Sequence, residues 1–401
     1  MARFMYSLLF AVQSALAVGG SGANDNPRII TFDVPGAGTV PSPVPAPPGF
    51  FPQGTFPYGV NDSGAIGGNF QDGNNVLHGF LRTPEGVFVV FDAPGAGKGA
   101  FQGTQGFAIS SEGMVVGKTF DANFVQHGML RTRAGTITVF DAPGAGTGPY
   151  QGTLATNVNA EGVIAGNYID ANNVGHAFLR TPDGPITPVN APGAGTGAFQ
   201  GTSVYYPGSI NDEGAIVGLY FDANNVVHGF LRSPDGGYTT IDVAAAGTGA
   251  FQGTAAIGIN AEATIVGGYT DANNLSHGFV RARAGTITTF DVPAAGSLAL
   301  QGTIITTATI NGEGVITGNY LDGNNVSHGF VRYEDGAIAT FDAPGAGMNG
   351  ATSLNGTTPL SNNATNWITG YYFDANGVGH GFLRTGDHCT DGGQGRPCNE
   401  E

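Results

Sequence analysis

The sequence predicts an all-β fold: a seven-bladed β-propeller with four antiparallel strands per blade, closed by the N-terminal strand completing the last blade. Three observations carry this expectation. The phrase Asp-x-Asn-x-x-x-His-Gly-Phe, or a close variant, recurs seven times in 401 residues, with histidines at His78, His127, His176, His228, His277, His328 and His380. A period of roughly 50 residues implies one supersecondary unit stacked on its neighbours. Each copy holds four runs of strand-forming residues separated by turn signals. The chain enters with a lone fourth strand, Ile29 to Asp33, and leaves after a lone third strand, His380 to Arg384, so the two ends complement each other.

The copy around Asp271 shows the elements in order: Ala255–Asn260, Thr264–Tyr269, His277–Arg281 and Thr286–Asp291. Asn-Ala-Glu, Asp-Ala-Asn-Asn and Arg-Ala-Gly lie between them, and Asp or Asn side chains close such turns on backbone amides. The spacing is strict. Each turn Asp precedes its His by six residues, as in Asp72 to His78, and the His precedes the next Phe-Asp aspartate by fourteen, as in His78 to Asp92, with Asn190 filling that position in one copy. The 69 Gly and 23 Pro are periodic among β-branched and aromatic residues, which indicates strands and tight turns and argues against disorder. A β-solenoid is the alternative, but its rungs are much shorter.

The domain reading is a signal peptide at 1–17, a linker at 18–28, the propeller at 29–385 and a C-terminal tail at 386–401. Phe4 to Ala17 is apolar, ends in Ala15-Leu16-Ala17, and is too short to span a bilayer. Export to an extracellular or periplasmic compartment is therefore expected, with no membrane anchor and a monomeric state. Cys389 and Cys398 are the two cysteines, both in the tail, and an exported chain is expected to pair them. The formal net charge of −16 argues against nucleic acid and against an anionic membrane surface.

Topology places the seven Asp-x-Asn turns and the long Pro-Gly-Ala-Gly…Gln-Gly-Thr crossovers on one face. Any ligand is expected there, since long loops on a rigid scaffold carry binding. Three features break the symmetry: a longer proline-rich first crossover from Thr39 to Pro52, an insertion in the fourth copy containing Tyr205 and Tyr206, and the single tryptophan, Trp367. These aromatics suit a sugar or another apolar ring face, and Tyr205, Tyr206 and Trp367 are the candidate ligand-binding residues. Sealing of imperfect joints is the competing reading.

The histidines do not suit a shared metal. They begin the third strand, roughly 15 Å from the axis, so neighbours stand over ~10 Å apart, whereas zinc ligands converge on one ion. Each is expected to tie a turn to the adjacent blade. The Asp-x-Asn turns resemble short calcium loops, with Asp222, Asn224, Asp271 and Asn273 as candidates for weak calcium binding. A calcium site wants six to eight oxygens, so turn closure is preferred and no cofactor is expected. Arg82, Arg131, Arg180, Arg232, Arg281, Arg332 and Arg384 follow the His-Gly-Phe runs and are expected to fork onto the Phe-Asp aspartates across blade joints. The Gly-Ala-Gly-Thr-Gly stretches lack the Lys-Ser/Thr of a phosphate loop. No set of residues with distinct catalytic roles stands apart from the repeat.

At His176-Ala177-Phe178, and at Gly314 to Tyr320, the chain resembles the bacterial extracellular proteins named for their His-Ala-Phe repeat. The resemblance spans nearly all of residues 29 to 385. It implies export and a kelch-like propeller, and no catalytic residues. The long Pro-Gly-Ala-Gly crossovers depart from the shorter spacing of that family. The expected role is a binding or structural module, with carbohydrate, another extracellular polymer or an extracellular protein as partner. The alternative is a propeller enzyme, such as a polysaccharide lyase or glycosidase, with an axial site on the crossover face.

Overall fold

The computed structural model describes residues 27–41, 51–204, 208–348 and 355–386. Its twenty-eight strands form one continuous hydrogen-bonded sheet, an all-β, propeller-like ring, with no helix among the described residues. The expected signal peptide, Tyr205, Tyr206, Cys389 and Cys398 lie outside the described residues. In the copy around Asp271 the strands are Gly253–Ile259, Ile265–Thr270, Ser276–Arg281 and Ile287–Phe290, each antiparallel to the next. First strands such as Gly54–Val60 are buried throughout, whereas fourth strands such as Phe88–Phe91 expose their middle residues. Each copy therefore stands with its first strand innermost.

Arg28–Phe32 pairs antiparallel with Gly379–Thr385, placing Ile30 opposite Leu383. The two ends of the chain thus share one unit, and no unpaired edge is left at the junction.

The His-Gly-Phe run is a packing device. Phe80, Phe178, Phe230, Phe279, Phe330 and Phe382 are buried, as is Met129 of the second copy. Each such side chain stabilises the ring by roughly 1.5–3 kcal/mol. The central Gly leaves room for a ring of the fourth strand: a Cβ on Gly79 would lie 2.3 Å from the Phe91 ring. Ala177 is tolerated because its register partner is the smaller Val189.

Gln-Gly-Thr builds the joint between copies. Gly103 has φ +116°, and a Cβ there would lie 2.0 Å from the Leu77 carbonyl oxygen. Only glycine permits that approach. Thr104 Oγ1 accepts the Ala93 amide, two residues beyond the preceding fourth strand, at 2.8 Å. Thr55, Thr153, Thr202, Thr254, Thr303 and Thr357 repeat the contact around the ring.

The arginines do bridge copies, but their partner is a ring, which corrects the expected Arg–Asp pairing. The guanidinium carbons of Arg82, Arg131, Arg180, Arg332 and Arg384 lie 4.8 to 5.1 Å from the ring centroids of Phe32, Phe91, Phe140, Phe290 and Phe341. Among the described residues no Arg–Asp ion pair forms. Successive strand residues face opposite ways, so in each Phe-Asp pair the phenyl ring meets the arginine and the carboxylate points elsewhere. The residues corresponding to the phenylalanine before Arg232 and Arg281 are Val189 and Ile241, which offer no ring.

The innermost turns are joined by a belt of asparagines. Asn61 Nδ2 donates to the Ser110 carbonyl, Asn159 to Asn211, Asn211 to Asn260, Asn260 to Asn311, Asn311 to Asn363, and Asn363 to Asn61. The last bond spans 302 positions of sequence. These side chains are buried, and each Oδ1 also accepts an amide of its own turn, such as Ala65 by Asn61.

Deletion of residues 1–33 is expected to lower the thermal midpoint and cause self-association on size-exclusion chromatography, because Gly379–Thr385 loses its outer partner. A monomeric product with an unchanged midpoint would count against ring closure by that strand. A double-mutant cycle between Arg180 and Phe140, each changed to alanine, should give a coupling of roughly 0.5–1 kcal/mol in thermal unfolding. The same cycle between Arg232 and Val189 should give none.

Candidate functional site

The crossover face is built from the turn after the second strand and the loop that leads to the next copy. Each turn is closed by its aspartate. Asp271 Oδ1 accepts the amides of Asn273 and Leu275 at 2.8 and 2.9 Å, and Asp222 Oδ1 accepts those of Asn224 and Val226 at 2.8 Å each. The Leu275 amide, acting against partial burial, holds Asp271 below the ordinary carboxylate range. Among the described residues no group of three or more His, Cys, Asp or Glu side chains is placed to hold a metal ion.

In six copies the histidine lies between two carboxylates of its own unit, and His176 has the Asn190 amide in place of one of them, which corrects the expected link to the adjacent blade. His78 Nδ1 is 2.9 Å from Asp92 Oδ1, and its Nε2 is 3.8 Å from Asp72 Oδ2. The third strand pairs with both neighbours in its own unit, so both carboxylates flank the ring locally. An aromatic ring on the second strand stacks on the imidazole at 4.7 to 5.0 Å: Phe70, Tyr168, Tyr220, Tyr269, Tyr320 and Tyr372. The second copy has Thr119 there. At the ring junction His380 takes Asp33 from the N-terminal strand at 3.0 Å. Hydrogen bonding to Asp92 and Asp33 raises His78 and His380 above the ordinary histidine value, outweighing partial burial.

The crossovers carry apolar residues that the repeat motif did not reveal. Phe101, Tyr150, Phe199, Phe251 and Leu300 precede Gln-Gly-Thr, and all have φ between 64° and 68°. Bulky side chains rarely occupy this region. The cause is local: each amide must reach a carbonyl of the neighbouring turn, as Phe251 does to Asn225 at 2.7 Å and Phe199 to Asn173 at 2.7 Å. Phe101 is buried, but Phe199 is 82%, Leu300 76%, Phe251 70% and Tyr150 44% exposed. A cavity of about 270 Å³ opens beside Phe251, lined by Leu219, Phe221, Tyr269, Ser276, Ile304 and neighbours.

The axial cavity, about 300 Å³, is at the opposite end, among the asparagine turns. This differs from the expected axial site on the crossover face. Its mouth includes Asp62 and Asp212, whose Oδ1 atoms accept the Ala364 and Ala160 amides of adjoining turns. Trp367 is also on this end. It is half-buried against the cluster of Val60, Ile66, Phe80 and Leu383, and a Cβ on Gly64 would lie 2.5 Å from its ring. The tryptophan therefore packs a joint between the last copy and the first.

No family model matches the sequence, and no curated protein is similar to it. Among solved structures, a lectin from Burkholderia pseudomallei is similar with a TM-score of 0.51 at 10% identity, over 84% of this chain and 95% of the lectin. A prolyl endopeptidase gives a TM-score of 0.49 at 11% identity, over 82% of this chain and 50% of that protein. The acylaminoacyl peptidase of Pyrococcus horikoshii gives 0.47 at 8%, over 80% of this chain and 49% of that protein. The chain thus spans about half the length of these peptidases. The likeness to the lectin is one of fold, a propeller-like all-β ring.

The histidine geometry sets a pH dependence. Because the folded values of His78 and His380 lie above the unfolded one, their contribution is complete below about pH 6.5 and is lost as pH rises through the raised values. The thermal midpoint of Asp33→Asn and Asp92→Asn variants should therefore fall furthest below wild type at about pH 6 and approach it by about pH 8. An equal difference at both pH values would count against the pairing.

Proposed function

We propose that the chain is an exported propeller of seven four-stranded blades, related to the His-Ala-Phe repeat proteins, that binds carbohydrate on its crossover face without turning it over. The strand pairing supports the blade reading: the runs between successive crossovers each pair in sequence, and the N-terminal strand supplies the missing member of the last. The lectin with a similar ring is consistent with a sugar ligand.

The observation that carries the reading is the set of exposed, left-handed apolar residues Phe199, Phe251, Leu300 and Tyr150. The left-handed backbone costs an L-residue about 1–2 kcal/mol, and the side chains of Phe199 and Leu300, 82% and 76% exposed, recover little of it by packing. Strain retained at a solvent-facing position is characteristic of functional surface. A flat ring facing water suits the apolar face of a saccharide. Repetition at neighbouring crossovers places such rings side by side, which suits a polymer more than a single small molecule.

Two measurements test this. In a polysaccharide panel the protein should be retained without releasing new reducing or unsaturated ends; product release would point to the enzyme alternative. Phe199→Gly and Phe251→Gly should each reduce retention roughly two- to tenfold. Each should also raise stability by roughly 1 kcal/mol, because glycine removes the left-handed penalty. A loss of stability in both variants would identify the rings as structural seals.

A further inference from the structure

We propose that the second copy holds a site for a carboxylate-bearing sugar, with the Lys118 ammonium receiving the carboxylate and Phe124 and Tyr150 forming the stacking surface. The inference rests on the carbohydrate reading above and narrows it to one ligand class at one sector.

The second copy departs from the repeat at adjoining positions. Lys118 stands where the other copies have Asn69, Asn167, Leu219, Gly268, Asn319 and Tyr371. Phe124 stands where they have Asn75, Asn173, Asn225, Asn274, Asn325 and Gly377. Its φ is 62°, a conformation that asparagine and glycine adopt far more readily than phenylalanine. The departures meet in space. Lys118 Nζ donates to Gln126 Oε1 at 3.0 Å, and the Gln126 amide donates to the Tyr150 carbonyl. The Phe124 and Tyr150 rings lie 5.4 Å apart, and each is just over 6 Å from Phe120.

The ammonium is enclosed by ring faces. Nζ lies 4.5 Å from the Phe120 centroid and 5.8 Å from that of Phe107. Among the described residues no carboxylate forms an ion pair with it, although the protein carries a net charge of −16. Burial pushes the amine down to about 8, which leaves the protonated form predominant at neutral pH. A desolvated cation with one amide oxygen and two ring faces is short of a counter-ion, and removing charge from water without one is costly. Lys118 as a residue is half-buried, and the partly exposed Phe124 and Tyr150 beyond Gln126 mark the side from which a carboxylate would approach.

The surroundings select the rest of the ligand. Tyr150 is 44% exposed, and Phe124 is partly exposed beside it, which provides a face for a pyranose ring next to the cation. Lys98, the other lysine of the chain, is exposed in the crossover into this copy, where the Gly97 amide donates to the Phe120 carbonyl at 2.7 Å. Both lysines therefore belong to one sector. The strongly negative remainder of the surface opposes a dense polyanion, so a single uronate, or a chain with widely spaced acid groups, is the matching ligand.

The test is calorimetric titration of the full chain with a glucuronate-terminated disaccharide, its neutral glucose counterpart and benzoate. The acidic disaccharide should bind better than the other two. Lys118→Met should weaken it roughly tenfold to a hundredfold, while the thermal midpoint stays level or rises. Phe124→Asn should weaken it too, with a raised midpoint. Equal affinity for the acidic and neutral sugars, wild-type binding by Lys118→Met, or equal binding of benzoate would each overturn the assignment. Neutral glycan binding through Phe199 and Phe251 without uronate binding would sink this inference alone. Lys118-dependent uronate binding without any neutral glycan would sink the aromatic-platform reading alone.

Discussion

A belt of buried asparagine amides holds the centre of this molecule. Each side chain does two things at once: its oxygen closes its own turn, and its nitrogen reaches the carbonyl of the next copy. Those carbonyls are cut off from bulk water and need a donor. The spacing between copies is therefore tied to the length of one side chain. An aspartate would present a charged acceptor to a carbonyl, and a glutamine would push the turns apart. Loss of one such buried bond costs about 1–3 kcal/mol, and the cost recurs wherever the belt is cut.

Outside that belt the joints depend on shape and on weak polar contacts. The glycine of Gln-Gly-Thr lets backbones touch, its threonine hydroxyl takes an amide just beyond the preceding fourth strand, and arginine lies flat on phenylalanine. The glycine and threonine lie where the crossover enters the first strand, and the arginine lies at the far end of the third. Positions that take no part in a joint can differ between copies, which is how the second copy accommodates Lys118 on its second strand and Phe124 in the following turn. Structure and recognition are separated by position within one repeated sentence.

The architecture was legible because it depends on spacing. The constant six residues from Asp to His and fourteen from His to Asp or Asn placed turns and strands, and the unmatched ends pointed to the strand shared by both termini. Partner identity was not legible. Fourteen residues separate His78 from Asp92, and the number alone does not say whether the contact lies within a copy or across a joint. Opposite charge suggested Asp for each arginine, but strand alternation turns the neighbouring phenylalanine toward it. Phe199 and Phe251 were hidden in glycine-rich loops, and only the backbone angle marks them as unusual. The belt asparagines read as ordinary turn residues, because their second hydrogen bond crosses to another copy. Lys118 is one of two lysines, but the sequence does not say that its side chain turns onto the rings of Phe107 and Phe120 instead of a carboxylate.

The belt has one interruption. The second copy has serine in the asparagine position, and the Ser110 hydroxyl accepts the Met114 amide of its own turn and does not span to Asn159. The joint between the second copy and the third therefore lacks the amide bridge and is held by Thr153, Arg180 on Phe140, the Gly152–Gln126 bridge and the packing of Ala108 and Val116 against Val158 and Ile164. One buried bond fewer makes this joint easier to strain than its counterparts. The Gln126–Tyr150 contact crosses that same joint, so any loosening there is felt directly where Lys118 is held.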